Sequence, residues 1–307
     1  MPEKLNRFQQ IWDSDFLWNF RHSATAIISF CMVVTLLLSA VFASFIAPYN
    51  PFDLTQFDLS NAFLPPVWME GGNTDFLLGT DDQGRDLLSA ILYGLRVSLE
   101  IGIFSVIISV VVGVTLGLIS GYSGGFLDTV IMRFCDVMLS FPSILLALLI
   151  DGVMRAVLPT ELHDEFAYGV LIFAISMSGW VKYARTVRSS TMSEKRREYV
   201  EAAQVTGVST TRILFTHILP NVLGPVFVLA SVQVATAIIA EATLSFLGVG
   251  VPPTTPSLGT LIRIGNEFLF SGEWWVTIFP GLTLILFVLS INLLGDWLRD
   301  ALNPKLQ

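Results

Sequence analysis

The sequence predicts an all-α polytopic membrane protein with six transmembrane helices, and three observations carry that expectation. Hydrophobic residues make up 53% of the 307 and charged residues only 14%, with a mean hydropathy of +0.68, far from the mix of a water-soluble domain. Several uninterrupted apolar runs exceed the roughly 20 residues that cross a bilayer. Each satisfies its own backbone hydrogen bonds as a helix in lipid, which makes membrane lipid the first partner of the chain. The basic residues are concentrated in one connection, as expected of a multi-pass protein with a fixed orientation. A formal charge of −8 argues against nucleic acid as a ligand. Cys31 and Cys135 both fall inside apolar runs and read as packing residues, not as a disulfide or metal pair.

Taken in order, residues 1–23 form an N-terminal segment in which Phe8, Trp12, Phe16 and Phe20 recur at i+4 among polar residues. That pattern reads as an amphipathic helix lying in the membrane interface, or else as a flexible tail. The first span, 24–47, is too long for the apolar region of a signal peptide and is expected to be retained. A long connection, 48–96, precedes the second span, 97–121, where Gly113, Gly117 and Gly121 line one face and let a neighbouring helix approach closely. Packing is their expected role, with hinge motion the alternative. The third span, 129–155, begins with Arg133 and Asp136 one turn apart, placed to pair with each other, and contains Pro142, expected to kink it and so to shape a pathway. The fourth, fifth and sixth spans are 167–184, 221–247 and 274–297.

The connection between spans four and five carries Lys182, Arg185, Arg188, Lys195, Arg196, Arg197 and Arg212, so it is expected to be cytoplasmic. An even number of spans then puts Lys4, Arg7 and Arg21 at the N-terminus and Arg299 and Lys305 at the C-terminus on the same side. Connection 48–96 and the acidic loops 156–166 and 248–273 face out.

Within the basic connection 185–220 the stretch from Glu194 to Pro220 is soluble in character. Glu201, Ala202 and Ala203 favour a short helix, Gly207 suits its C-terminal left-handed position, and Ser209 or Thr210 suits the start of another. The result is a helix–turn–helix projecting from the membrane, and the small residues Ala202, Ala203 and Gly207 leave room for another protein to approach.

Tyr199, Glu201-Ala202-Ala203, then Gly207, then Leu219-Pro220 thirteen residues further on, resemble the cytoplasmic loop of bacterial ABC-importer permeases, although His217 stands where that pattern prefers an apolar residue. Gly79-Thr80-Asp81-Asp82-Gln83-Gly84-Arg85-Asp86, Arg133-Phe134-Cys135-Asp136 with Phe141-Pro142, Glu241 through Gly248, and Gly295-Asp296 with Arg299-Asp300 look like the dipeptide/oligopeptide/nickel group, specifically its shorter "C" subunit. Leu258 and Pro252 depart from it, standing where that group commonly has tryptophan and glutamine. The resemblance implies a type I importer permease domain over 24–307, in a bacterial inner membrane. It implies a coupling helix gripped by two ATPase subunits, a second homologous permease, and an extracytoplasmic binding protein docking on loops 48–96 and 248–273. Peptides are the implied cargo, with nickel or another small solute as the alternative.

The chain has no Gly-x4-Gly-Lys-Ser/Thr motif, so ATP and magnesium are expected on the partner ATPases, no cofactor on this chain, and no enzymatic activity of its own. The acids of 79–86 lack calcium-loop spacing and His22, His163 and His217 are scattered, so no metal is expected. Thr80 or Asp81 reads as the cap of a helix through 85–96, or as part of the binding-protein contact. Glu100 and Asp151 lie near span ends and are expected to be solvated. Glu241 is deeper, with Ser245 on the same face, and is expected to contact the partner permease or line an outer cavity. A rival class, a stand-alone secondary transporter or channel, calls for buried coupling charges or a polar pore stripe that the sequence does not display clearly.

Overall fold

The computed structural model describes residues 15–53 and 58–301. Helix α1 spans Asp15–His22, α2 Ala24–Val41 and the single turn α3 Ala43–Ile46. They are followed by α4 (Leu87–Ser123), α5 (Gly125–Ser140), α6 (Ser143–Val157), α7 (His163–Glu194) and α8 (Glu198–Val205). Helix α9 (Thr210–Phe246), α10 (Leu258–Phe268) and α11 (Trp275–Ala301) complete the described chain. Five of these, α2, α4, α7, α9 and α11, are long and apolar enough to cross a membrane, and α5 with α6 together pass the same test but are bent against each other, as in a broken span or a re-entrant loop. The all-α membrane fold expected from the sequence is the one observed. Phe8, Trp12, Lys4, Arg7 and Lys305 lie outside the described residues.

The third span departs from expectation. It is two helices meeting at 92°, not one kinked helix. Proline disfavours helical backbone at the residue before it, and Phe141 accordingly sits extended at φ −96°, ψ 132°, so the chain turns at Phe141-Pro142. Asp136 does not pair with Arg133. Helix α5 lies against α7, with Phe134 stacked on Trp180 at 5.8 Å, and Asp136 takes Arg185 of α7 at 2.5 Å.

The α4–α7 seam organises the bundle. A methyl group on Gly113 would stand 2.5 Å from the Trp180 carbonyl and the Tyr183 Cβ. On Gly117 it would stand 2.6 Å from the Ala184 carbonyl, and on Gly121 2.7 Å from the Arg188 carbonyl. The two backbones meet where no side chain intervenes. Farther along, Ser176 donates to the Ser105 carbonyl at 3.1 Å and Ser109 to the Ser176 carbonyl at 3.3 Å.

At the end where α4 begins, the described residues of the first outer connection, 48–53 and 58–86, and the loop 248–274 form a packed cap. Thr80 Oγ1 donates to the Asn61 carbonyl at 2.5 Å and accepts from the Leu64 amide at 2.8 Å, and Trp275 Nε1 donates to the Thr80 carbonyl. Buried Arg85 pairs with buried Asp81 at 2.6 Å and reaches the Pro253 carbonyl at 3.1 Å, joining the two loops. Neither Thr80 nor Asp81 caps the following helix. The cap is Asp86, whose Oδ2 accepts from the Ser89 amide at 2.8 Å, because α4 starts at Leu87. Asp151, expected to be solvated, is buried and held by Arg155 at 2.7 Å, whereas Glu100 stays half-exposed beside Arg96. The opposite end of the bundle carries the basic residues and α8.

Candidate functional site

Helix α8 is built to project and to be held. Glu198 and Glu201 occupy its first turn, where carboxylates complement the positive end of the helix dipole. Its last turn closes with the Val208 amide on the Ala203 carbonyl and the Gly207 amide on the Gln204 carbonyl, both 3.0 Å. That closure needs Gly207 at φ +77°, a left-handed position costly for any residue with a Cβ. One face carries buried Val200 and Ala203, packed in a cluster with Ile213, Ile218, Val222, Tyr183, Val187 and Leu118 of α9, α7 and α4. The other face presents Glu201, Ala202 and Val205 outward, the valine 88% exposed. Of the residues singled out in the sequence, Ala203 is therefore an anchor, Glu201 and Ala202 are surface, and Gly207 is the bend between them.

Tyr199 fastens α8 to its neighbours. Its hydroxyl donates to the Glu194 carboxylate at the end of α7 and accepts from Asn221 Nδ2 of α9 at 3.0 Å. Partial burial and the Glu194 carboxylate hold the phenol above its ordinary value, keeping it a donor. Asn221 also donates to the His217 carbonyl at 2.7 Å. His217, at the apolar position of the pattern, sits 6.3 Å from the Tyr199 ring, half-buried. After its first α-turn, Thr210–Arg212, helix α9 widens into a π-turn, Ile213–Ile218, ending in the bond from the Leu219 amide to the Leu214 carbonyl. The widened turn accommodates Pro220, which lacks an amide proton and crowds the preceding turn of an α-helix. Leu219 and Pro220 thus shape the entry to α9, Leu219 half-buried and Pro220 exposed.

The same end of the bundle is cross-braced. Lys195 Nζ donates to the Gly121 and Tyr122 carbonyls at 3.0 and 3.2 Å, satisfying the end of α4. Asp128 of α5 takes both Arg188 Nε and Nη2, at 2.5 and 2.6 Å, and a bond from Ser120. A displacement of α8 therefore reaches α4, α5, α7 and α9 through packed and hydrogen-bonded contacts, not through a loose loop.

Glu241 and Ser245 are elsewhere, near the opposite end. Glu241 is fully buried inside the chain, accepting from Ser98 Oγ of α4 and Ser245 Oγ, both at 2.7 Å, while Ser98 also accepts from the Leu258 amide at the start of α10. For Glu241 the expected partner or cavity contact is corrected, because its carboxylate is consumed in joining α4, α9 and α10, whereas Ser245 lines a small outer cavity with Arg155, His163, Pro252 and Arg263. Pro142 sits exposed at the break between α5 and α6.

Sequence reading missed Asn221 and Asp128 and the pairings of Lys195 and Arg85, all with partners 22 to 168 residues away. Among the described residues no cluster of histidine, cysteine and carboxylates could hold a metal ion.

Comparison with known proteins places this geometry. The family described as "Binding-protein-dependent transport system inner membrane component" matches residues 113–307, and "N-terminal TM domain of oligopeptide transport permease C" matches residues 11–66. The chain is 42% identical over 307 residues to the dipeptide transport system permease protein DppC of Escherichia coli, covering all of this chain and 96% of that one. It is 41% identical over 293 residues to the DppC of Haemophilus influenzae, covering 95% of each. It is 35% identical over 305 residues to the oligopeptide transport system permease protein OppC of Bacillus subtilis, covering 99% and 93%. Among solved structures it resembles a chain of the inward-facing MetNI methionine ABC transporter, with a TM-score of 0.52 and 21% identity over 71% of this chain and 96% of that one. With a six-span helical bundle and a braced, projecting helix at its basic end, the chain belongs to the inner-membrane permease components of binding-protein-dependent ABC importers.

Proposed function

We propose that this chain is one half of the translocation path of an ATP-driven importer of dipeptides or oligopeptides, paired with a second homologous permease. Two ATPase subunits grip the projecting helices, and an extracytoplasmic binding protein delivers cargo. The observation that carries the reading is α8 itself. Its outer face of Glu201, Ala202 and Val205 is open, while its inner face and Tyr199 are locked to three spans. ATP hydrolysis belongs to the partner subunits. The basic end, with both chain termini, faces the cytoplasm, since arginine and lysine are retained on that side. The cap at the end where α4 begins then faces the binding protein. Closure of the ATPases moves α8 as a rigid body, and the spans it is braced to swing between two access states. Peptide cargo is favoured over nickel by the named relatives, which transport dipeptides and oligopeptides.

The test is purification of the tagged chain from its native membrane in mild detergent, with mass spectrometry of what remains bound. A second six-span permease and P-loop ATPases are expected. Recovery of this chain alone, still moving solute in liposomes, would instead identify a self-sufficient transporter.

A further inference from the structure

We propose that Lys182, held by Gln233, recognises a carboxylate of the cargo inside the translocation path. This rests on the peptide-importer reading above. Lys182 lies on the membrane-spanning helix α7, twelve residues before its end at Glu194. It precedes Arg188, whose carbonyl faces Gly121 near the end of α4, by six residues, or about 9 Å of helix axis. A charge on a membrane-spanning helix is costly, and such residues face a water-filled cavity or a partner, not lipid. The ammonium does not snorkel to the basic end. Side chains on a helix lean toward its N-terminus, which for α7 is the opposite end. Nζ follows that direction to Gln233 Oε1 at 3.2 Å, and the Gln233 amide lies beside Gly179, deeper still.

The surroundings are those of an open polar face. Ser178, Lys182, Thr186 and Ser189 recur at intervals of four, four and three and share one side of α7, with Lys182 and Ser189 exposed. One turn farther from the basic end the same side is closed, because Leu171, Ala174 and Ile175 pack against Ala147 and Leu148 of α6. The stripe therefore begins where the cover of α6 stops, and it opens toward the basic end. Among the described residues no carboxylate forms an ion pair with Lys182. An ammonium has three donors and Gln233 occupies one. Two remain for an incoming carboxylate, with the neighbouring Gln233 amide as a further, neutral donor. Every short peptide carries such a carboxylate at its C-terminus whatever its side chains, so this contact suits a pathway that accepts many sequences.

The test uses the complete importer in proteoliposomes, with saturating binding protein and radiolabelled dialanine. Lys182→Gln is expected to lower dialanine uptake about tenfold, the loss of one charge-assisted hydrogen bond, while ATP hydrolysis stimulated by the loaded binding protein stays within about twofold. Lys182→Arg should recover most of the uptake. Gln233→Met, which leaves the lysine in place, should raise the KM for dialanine with little change in maximal ATP hydrolysis. Unchanged uptake by Lys182→Gln together with an unchanged KM for Gln233→Met would overturn the proposal alone. Release of the second permease from the Lys182→Gln complex would also overturn it, by making Lys182 a subunit contact. A wild-type importer that moves no dialanine would sink the peptide reading itself, and this inference with it.

Discussion

Asn221 donates its side-chain amide to the Tyr199 hydroxyl across 3.0 Å, so the projecting helix and the fifth span share a polar joint. The same hydroxyl donates to Glu194 at the end of the fourth span. Tyr199→Phe removes both bonds and keeps the ring. At about 0.5–1.5 kcal/mol per bond, transport should fall several-fold while the complex still assembles. Asn221→Ala should add little on top of Tyr199→Phe, because the two act through one joint. Paired measurements of uptake and ATP hydrolysis check this. Full additivity would place the two residues in separate networks.

Gly117 and Gly113 set the distance between α4 and α7. Gly117→Val forces side-chain atoms into the Ala184 carbonyl and Val187, and overpacking of this kind costs about 1–3 kcal/mol. Gly169→Ala, in α7 with open space at its Cβ, is the control. Thermal unfolding in detergent should show a clear loss for Gly117→Val and little change for Gly169→Ala.

The bend after α8 depends on backbone geometry, not on space. Nothing lies within 4 Å of where a Gly207 Cβ would be, yet φ is +77°. Gly207→Ala should therefore weaken the end of α8 by about 1–2 kcal/mol without disturbing the spans. Hydrogen exchange should speed up over 198–208 and stay constant in α4 and α7.

Asp82 is a stability liability in the outer cap. Burial, reinforced by the Asp81 carboxylate, pushes its carboxyl above the usual range, and its Oδ1 is buried without a partner. Because the folded value exceeds the unfolded one, ionisation disfavours the folded state. That penalty is absent at acidic pH, grows through the interval between the two values, and is complete above the folded one. Asp82→Asn should raise the Tm at neutral pH, and the gain should vanish as pH falls below the carboxylate range.

Much of this architecture was legible because membrane helices announce themselves by length and composition, and because Gly207 and Pro220 impose backbone states that few residues share. The third span was misread in shape. Its apolar run is continuous across Phe141-Pro142, and hydropathy does not register an extended residue before proline. Glu241 was misread in role because its consuming partner, Ser98, is 143 residues away. Lys182 was counted with the basic connection although it falls inside the expected fourth span, and its partner Gln233 lies 51 residues away on another helix. Local signals located the elements. The pairings across them needed three dimensions.

The most direct test of the central claim places a single cysteine at Ala202, on the open face of α8, in a chain with Cys31→Ser and Cys135→Ala. Oxidative cross-linking to cysteines introduced along the cleft of the ATPase subunit is then followed through the ATP cycle. An efficient cross-link to the ATPase is expected, its yield changing between nucleotide-free and ATP-bound states. An assembled, transporting complex in which Ala202→Cys forms no cross-link to the ATPase in any state would contradict it.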